Sequence, residues 1–282
     1  MLQAPQRTGL SGPTLIRLLT RLTDAEVQQS RQSLSDHLSQ WLGWTDAIAL
    51  SAALNTAPPV IAPGARMFSS AEERECVRVR TTLADAIASD TAATAAKRVA
   101  PARAPAKKLA AVLAEDEFDY SSFRQRYLSL QHTMETSIGN LRSRLRGMVA
   151  ARNGEWTRLA VVDAIMDRAL LPKERALLGA IPKLLQAHFD RLRKAEEAAL
   201  AQAAEQALAE PAALADAAAN VQGDTEAPGV DAAQAGTSPP ALAITAGAWL
   251  DTFRADMRAV LLAELDVRLQ PVEGLLAALR TS

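Results

Sequence analysis

The side chains that could perform nucleophilic chemistry in this chain are one cysteine, Cys76, and three histidines, His37, His132 and His188. A thiol beside a histidine base is a common catalytic pair, and such groups assemble in space rather than in sequence. Cys76 directly follows Glu75, however, and a neighbouring carboxylate raises the pKa of a thiol and makes it less reactive. The sequence therefore predicts an inert helical cysteine and no catalytic residues.

Motifs that bind metals or cofactors do not occur in the sequence. A single cysteine excludes a Cys-x-x-Cys zinc cluster, and the histidines are too far apart to form an i, i+4 metal pair. Glycine-rich phosphate loops and the Gly-x-Ser-x-Gly elbow are missing as well. We therefore predict no metal and no cofactor, and an enzyme of unrecognised type stays as an alternative.

A basic segment could bind the phosphates of a nucleic acid. Its cations are Lys97, Arg98, Arg103, Lys107 and Lys108. Neutralising phosphates with such side chains gives salt-sensitive binding. Four carboxylates follow between residues 115 and 119 and would repel the same backbone. We predict a solvated Ala/Pro linker over 97–118, with nucleic-acid binding as the alternative.

The composition of the whole chain favours helices over sheets. Of the 282 residues, 49% are nominally apolar and 4% aromatic, but about 59 of them are alanine, which builds little core. Strands need β-branched and aromatic residues, so the sequence predicts an all-α protein. A net charge of −1 excludes a global field that would attract nucleic acid or an anionic membrane.

The cysteine content and the hydropathy pattern bear on the compartment. One cysteine cannot form an internal disulfide, which favours a reducing cytoplasm. No stretch of about 18 residues is apolar throughout, so we predict no transmembrane helix.

The first 56 residues read as a small helical module. We expect one helix over 13–22, a second opened by a capping box from Thr23 to Glu26 and ending near Leu42, and a third over 44–54. The tryptophans Trp41, Trp44 and Trp156 flank helix boundaries, where a large ring can cover a junction. We therefore expect these three rings to pack in the core. A connecting helix over 69–96 follows.

Residues 119–209 are predicted to form a bundle of long antiparallel helices. The strongest periodic signal in the chain is a coiled-coil-like apolar seam, which also serves as a candidate oligomer contact. Its members are Tyr120, Phe123, Tyr127, Leu130, Met134, Ile138, Leu141, Leu145 and Met148. We expect a turn at Asn153, a return helix ending at Leu171, a new helix beginning at Pro172 and an interruption at Pro182.

The last part of the chain is predicted to be an amphipathic helix on a tether. Residues 210–245 carry acids, alanine, proline and glycine and favour a disordered linker. Residues 246–282 then present one apolar face, interrupted at Pro271, that we interpret as a partner-binding surface. Its residues are Trp249, Phe253, Met257, Val260, Leu261, Leu265 and Leu269. Its charges are mixed in sign, so a protein is the better partner than a membrane.

Three stretches of sequence resemble a proteobacterial family of uncharacterised proteins that is known only as a domain of unknown function. They are residues 7–13, residues 38–47, and the ending from Phe253 to Pro271. The resemblance spans essentially the whole chain and implies no activity and no catalytic residues. Genes of that family often lie beside those of OmpA-like and MotA/TolQ-like envelope proteins, which implies a cytoplasmic accessory to an envelope complex.

The resulting hypothesis is a non-enzymatic, all-α interaction or scaffold protein. It would bind a protein partner, or associate with itself, through its amphipathic helices.

Overall fold

A computed structural model of the chain shows α-helices and no strand in the part that it describes. The described residues are 14–23, 32–55, 68–99, 119–152, 154–219 and 247–281. The prediction of an all-α protein is confirmed. The helices are α1 (Thr14–Thr23), α2 (Leu34–Trp41), α3 (Trp44–Asn55), α4 (Ser70–Val99), α5 (Tyr120–Ala150), α6 (Gly154–Leu178), α7 (Ile181–Ala219) and α8 (Ala248–Arg280).

The chain divides into two compact units, which are described separately. One unit comprises residues 1–187 and 255–282, and the other comprises residues 188–254. In the second unit, Phe189 packs edge-on against Trp249 and Phe253, with ring centroids 4.8 and 5.0 Å apart. The backbone N–H of Gly247, which has a φ of 87°, donates to the Glu196 carboxylate. This small aromatic cluster is the core of that unit.

The start of α2 differs from the prediction. The capping box is built by Ser33 and Asp36, whose side chains each bond the other's backbone N–H. Thr23 instead ends α1, and its hydroxyl donates to the carbonyl of Leu19. Both Thr23 and Ser33 precede an acidic side chain by three residues, so the sequence signal alone could not choose between them. Residues 24–31 lie outside the described part of the chain.

The start of α4 agrees with the predicted connecting helix over 69–96, and a capping box stands there. The Ser69 hydroxyl accepts from the Ala71 N–H, and the Glu72 carboxylate accepts from the Ser69 N–H. The helix continues to Val99, three residues beyond the predicted end. Residues 100–118, most of the predicted charged linker, lie outside the described residues.

The prolines interrupt fewer helices than the sequence predicts. Pro172 lies inside α6 and Pro271 inside α8, so the expected breaks at these positions are wrong. Proline in a helix interior removes one hydrogen bond and costs about 3 kcal/mol. In α8 several apolar residues after Pro271 are buried, including Val272 and Leu275. Their burial offsets that cost, because tertiary packing provides most of the stability of a protein helix.

The break between α6 and α7 falls at Gly179 rather than at a proline. The Gly179 N–H donates to the carbonyl of Arg175, and a Cβ on Gly179 would lie 2.8 Å from that same oxygen. Only glycine therefore fits the end of α6 without displacing the backbone. Pro182 lies in the first turn of α7, where its missing N–H has no helical partner in any case.

The predicted linker over 210–245 begins later than expected. Helix α7 runs through Pro211 to Ala219, ten residues into that range. The remaining residues, 220–245, lie outside the described part of the chain.

Helices α5 and α6 form the predicted antiparallel hairpin. Gln131 bonds Leu178, Arg142 bonds Asp167, and Thr157 bonds Ala150, so the two helices run in opposite directions. Helix α4 packs on α5, and α2 and α3 pack on α6. The predicted seam of α5 is buried at every member except Leu130, which is half-buried. Gln131 is buried next to it and takes its place on that face.

Residues 255–280 of α8 form the centre of the larger unit. They contact α1 through the ion pair of Arg21 with Asp256 and α4 through Arg80, which pairs with Asp266 and Glu273. Further contacts to α5 and α6 run through a buried polar cluster described below. The segment is therefore a core element with neighbours on several sides. None of the helices in the described ranges is long and apolar enough to cross a bilayer.

Candidate functional site

The candidate nucleophile Cys76 is buried in α4. Burial is the main cause that raises the pKa of its thiol, and Glu75 adds to the rise, while Arg144 opposes it. The histidines lie on other helices, His37 on α2, His132 on α5 and His188 on α7. A buried thiol with a raised pKa is a weak nucleophile. The described residues also hold no group of His, Cys, Asp and Glu side chains that could bind a metal ion.

The candidate nucleic-acid segment is only partly described. Lys97 and Arg98 lie in the last turn of α4. Arg103, Lys107 and Lys108 lie outside the described residues. Nucleic-acid binding by this segment therefore stays a prediction.

The candidate partner-binding face of α8 is buried within the chain itself. In the smaller unit, Trp249 and Phe253 pack against Phe189. In the larger unit, the remaining five residues are each at most 3% exposed; they are Met257, Val260, Leu261, Leu265 and Leu269. The described structure therefore uses this face as core. Binding of another protein by these residues stays a prediction and would require them to leave that core.

A buried polar cluster holds α8 against α5 and α6. The Glu264 side chain is 0% exposed. Its carboxylate accepts from the Tyr127 hydroxyl at 2.6 Å, from the Gln131 amide at 2.9 and 3.0 Å, and from Arg268 Nε at 2.9 Å. Arg268 also donates to the partly exposed Glu174 at 3.1 Å. Each side chain of the cluster thus has a partner, as buried charges require.

The electrostatics of this cluster are those of a structural element. Burial, reinforced by the negative charge of Glu264, raises the pKa of Tyr127 far above its ordinary value. Burial also raises the pKa of Glu174, against the attraction of Arg268. Tyr127 therefore stays protonated and donates its hydrogen bond permanently. The described cluster sets the register of α8 on α5, because sliding α8 by one turn would leave Glu264 buried without donors.

Sequence reasoning missed this cluster for an identifiable reason. It assigned Leu130 to the seam because an apolar residue at spacing three was available, whereas Gln131 stands at spacing four. The sequence does contain the residues of the cluster, namely Gln131 on α5 and a Glu–Arg pair at i, i+4 on α8, Glu264 and Arg268. Recognising it requires knowing that α8 packs on α5.

A second ion-pair cluster joins α5 to α6. Arg142 and Arg146 on α5 each bond both Asp163 and Asp167 on α6, with the shortest N–O distances at 2.6 or 2.7 Å. All four side chains are largely buried, so solvent screens them less than it screens surface pairs. The arrangement pairs two cations at i, i+4 with two anions at i, i+4. These arginines are therefore occupied within the chain and do not form a free basic patch.

Helix α3 has an exposed apolar face. Trp44 is 83% exposed, and Ile48, one turn along on the same side, is 54% exposed. Leu54 in the last turn is 52% exposed but continues the stripe of Asp46 and Leu50 on the other side of the helix. The opposite face, including Asp46 and Leu50, is half-buried against α6, and Asp46 pairs with Arg168 at 3.3 Å. None of the twelve residues of α3 is buried. The expectation that Trp44 packs in the core is therefore wrong, while Trp41 and Trp156 are half-buried.

The position of Trp44 on its helix explains its exposure. Residues 44 and 46 differ by roughly 200° around a helix of 3.6 residues per turn. Because Asp46 faces α6, the indole of Trp44 is directed away from it. Trp44 does lie at a helix boundary, because it begins α3. Its ring, however, lies on the side of α3 that faces away from α6.

An open groove runs along the surface between α5 and α6. Its volume is about 400 Å³. Small residues from both helices line it, among them Gly147 and Ala164, together with Arg146 and Arg168. A Cβ added to Gly147 would meet no atom within 4 Å. Gly147 is itself exposed, so this feature is an open depression of the surface rather than an enclosed cavity.

Comparisons with known proteins give a family and no activity. No curated protein and no solved structure gives a match to the chain. One family, described as a protein of unknown function (DUF3348), matches residues 1–281. Because this match covers almost the whole sequence, the chain belongs to the DUF3348 family.

Proposed function

We propose that this protein is a non-enzymatic helical interaction protein that binds a protein surface through the outward face of α3. The observation that supports the proposal is the exposure of Trp44 together with Ile48, one turn along on the same side of that helix. Contiguous apolar surface that a monomer leaves in water commonly marks an interaction site. Tryptophan is also among the residues that contribute most to protein interfaces.

The character of α3 supports a protein as the partner. Its single charged residue, Asp46, is engaged with Arg168, so the outward face is uncharged. Membrane-surface helices carry basic residues beside their apolar face, and α3 carries none. A neutral apolar face fits an apolar protein surface better than phosphates or lipid headgroups.

The proposal also includes the complex in which this protein acts. The resemblance to a bacterial family encoded beside envelope proteins supports a cytoplasmic accessory to an envelope complex. The partner would then be a protein of that complex or another copy of this chain.

Photo-crosslinking in the bacterial host tests the proposal. A photoreactive phenylalanine analogue replaces Trp44, and the same analogue replaces Val77 as a control. Val77 is 65% exposed on α4, but its neighbours Arg74 and Arg78 are charged. We expect discrete protein adducts from position 44 and none from position 77. Identical adduct patterns at the two positions, or no adduct at position 44, would contradict the proposal.

A further inference from the structure

Helix α8 is attached to its neighbours through two different kinds of polar contact. Its contact with α5 and α6 runs through Glu264 and Arg268, whose side chains are 0% and 6% exposed. Its contact with α1 includes the ion pair of Arg21 with Asp256 at 3.2 Å, in which the arginine side chain is 65% exposed. Solvent and salt screen an exposed pair far more than a buried one. The polar contact with α1 is therefore the weaker of the two.

Helix α1 is short and buries little of its surface. It has ten residues, and isolated helices shorter than about 12–15 residues are marginal in water, so α1 depends on packing. Two of its residues, Leu15 and Leu22, are buried, while Ile16 is 42% exposed. Elements with few buried apolar side chains open locally while the rest of a protein stays folded. Helix α1 has the properties of such an element.

The side of α8 that contacts α1 also carries buried apolar surface. Val260 follows Asp256 by one turn and lies about 40° from it around the helix. Its side chain is 0% exposed, and it belongs to the apolar face that the sequence predicts to bind a partner. Val272 is 1% exposed but lies roughly 160° around α8 from Asp256. A helix docked at Asp256 therefore lies beside Val260 and far from Val272.

We infer that α1 is a reversible cover on α8, held closed by the ion pair of Arg21 with Asp256. In the closed state it shields the side of α8 that carries Val260, and when it is displaced that side becomes accessible. The buried cluster keeps α8 on α5 and α6 in both states, so Val260 loses its cover without the release of α8. Opening thus controls access to part of the apolar face, independently of the outward face of α3.

Hydrogen–deuterium exchange of the full chain measures whether α1 opens by itself. We expect the amides of α1 to exchange at least about a hundredfold faster than those in the middle of α5, which open only with the core. Arg21→Glu should accelerate exchange in α1 at least about threefold and leave α5 unchanged, because it turns an attraction into a repulsion. Adding Asp256→Arg to that variant should restore most of the protection.

Arg17→Glu is the matched control for the exchange measurement. It reverses the same charge on the same helix, but Arg17 bonds Thr14 within α1 rather than α8. We expect exchange in α1 to stay within about twofold of the parent rate, as for a surface substitution. Both arginines are exposed, and circular dichroism confirms that the variants keep their helices.

Thiol labelling measures whether α1 shields α8. Val260→Cys and Val272→Cys make the same near-isosteric change at two buried positions, and peptide mapping separates their adducts from those of Cys76. We expect the thiol of Val260→Cys to react with a maleimide faster when Arg21→Glu is added and at an unchanged rate when Arg17→Glu is added. The thiol of Val272→Cys should react slowly in every background.

Two outcomes would overturn the inference. One is an α1 whose amides exchange as slowly as those of α5, or at the same rate in Arg21→Glu as in Arg17→Glu. The other is a Val260→Cys thiol that stays unreactive while α1 opens. The exchange measurement needs no added cysteine, so it decides the first point even where a thiol variant misfolds. Neither measurement depends on Trp44, so the cover can fail while the proposed function of α3 stands.

Discussion

Replacing Arg268 with methionine tests how the chain stabilises a fully buried carboxylate. Methionine retains much of the apolar stem but removes the charge and the donors. Glu264 would keep the bonds from Tyr127 and Gln131 and lose its cation at 2.9 Å. Breaking a buried pair by removing one partner costs about 3–5 kcal/mol, because an uncompensated charge remains. We expect Arg268→Met to lower the free energy of unfolding by that amount.

The reverse replacement, Glu264→Met, is expected to cost less. Arg268 would retain Glu174, which lies 3.1 Å away and is partly exposed. The double variant removes both charges of the pair and leaves neither stranded. Its loss of stability should be at least about 2 kcal/mol smaller than the sum of the two single losses, within the range of coupling between residues in contact.

Urea denaturation followed by circular dichroism measures these differences, since the midpoint and slope give the free energy of unfolding. Arg80→Met is the matched control. Arg80 pairs with two carboxylates of α8, but its side chain is 49% exposed, so its loss should cost at most about 1 kcal/mol. If Arg268→Met cost no more than Arg80→Met, or if the single losses were additive, the description of the cluster as a register-setting element would be wrong.

Three further outcomes follow from single sites. The Cys76 thiol should react with Ellman's reagent far more slowly in the folded protein than in urea, because burial shields it and raises its pKa; equal rates would contradict its position in α4. Gly179→Ala should destabilise the chain by about 1 kcal/mol or more despite the higher helix propensity of alanine, since its Cβ would meet a carbonyl at 2.8 Å; unfolding in urea measures this, and an unchanged or higher midpoint would refute it. Hydrogen bonding by Arg175 lowers the pKa of Glu135 below its ordinary value of 4.5. The stability that this ion pair adds to the folded state is therefore present above pH 4.5 and is lost as the pH falls through the lowered pKa. Unfolding measured between pH 6 and pH 3 should therefore show a flatter acid decline for Glu135→Gln, and parallel curves would show that the pair contributes nothing.

The helical class and most of the seam follow from sequence because they depend on local periodicity. Tyr120, Met134 and Leu145 recur at helical spacing and are buried. Helix ends at prolines do not follow in the same way. Pro271 reads as a break, yet α8 continues because the apolar residues Val272, Leu275 and Leu279 beyond it are buried. That stabilisation comes from residues remote in sequence, which local rules do not include.

The polar cluster and the α3 face could not be predicted for a related reason. By residue type, Gln131 and Glu264 are expected on the surface and Trp44 in the core. Their environments depend on which helices pack together, and a single sequence does not contain that information directly. The same limit explains why Trp249, at the start of a tethered segment in the sequence, proves to be part of an aromatic core.

Trp44, which the sequence places in the core, is exposed, and Trp249, which the sequence places on a partner-binding face, is buried. An interaction surface should therefore be tested on α3 rather than on α8. Deleting residues 246–282 would remove Glu264, Arg268 and much of the apolar core, so a loss of binding would not distinguish a missing surface from an unfolded protein. Helix α3 contributes no buried residue. Substitutions on its outward face can therefore change association while the free energy of unfolding stays nearly constant, and only this combination identifies a surface that serves binding rather than folding.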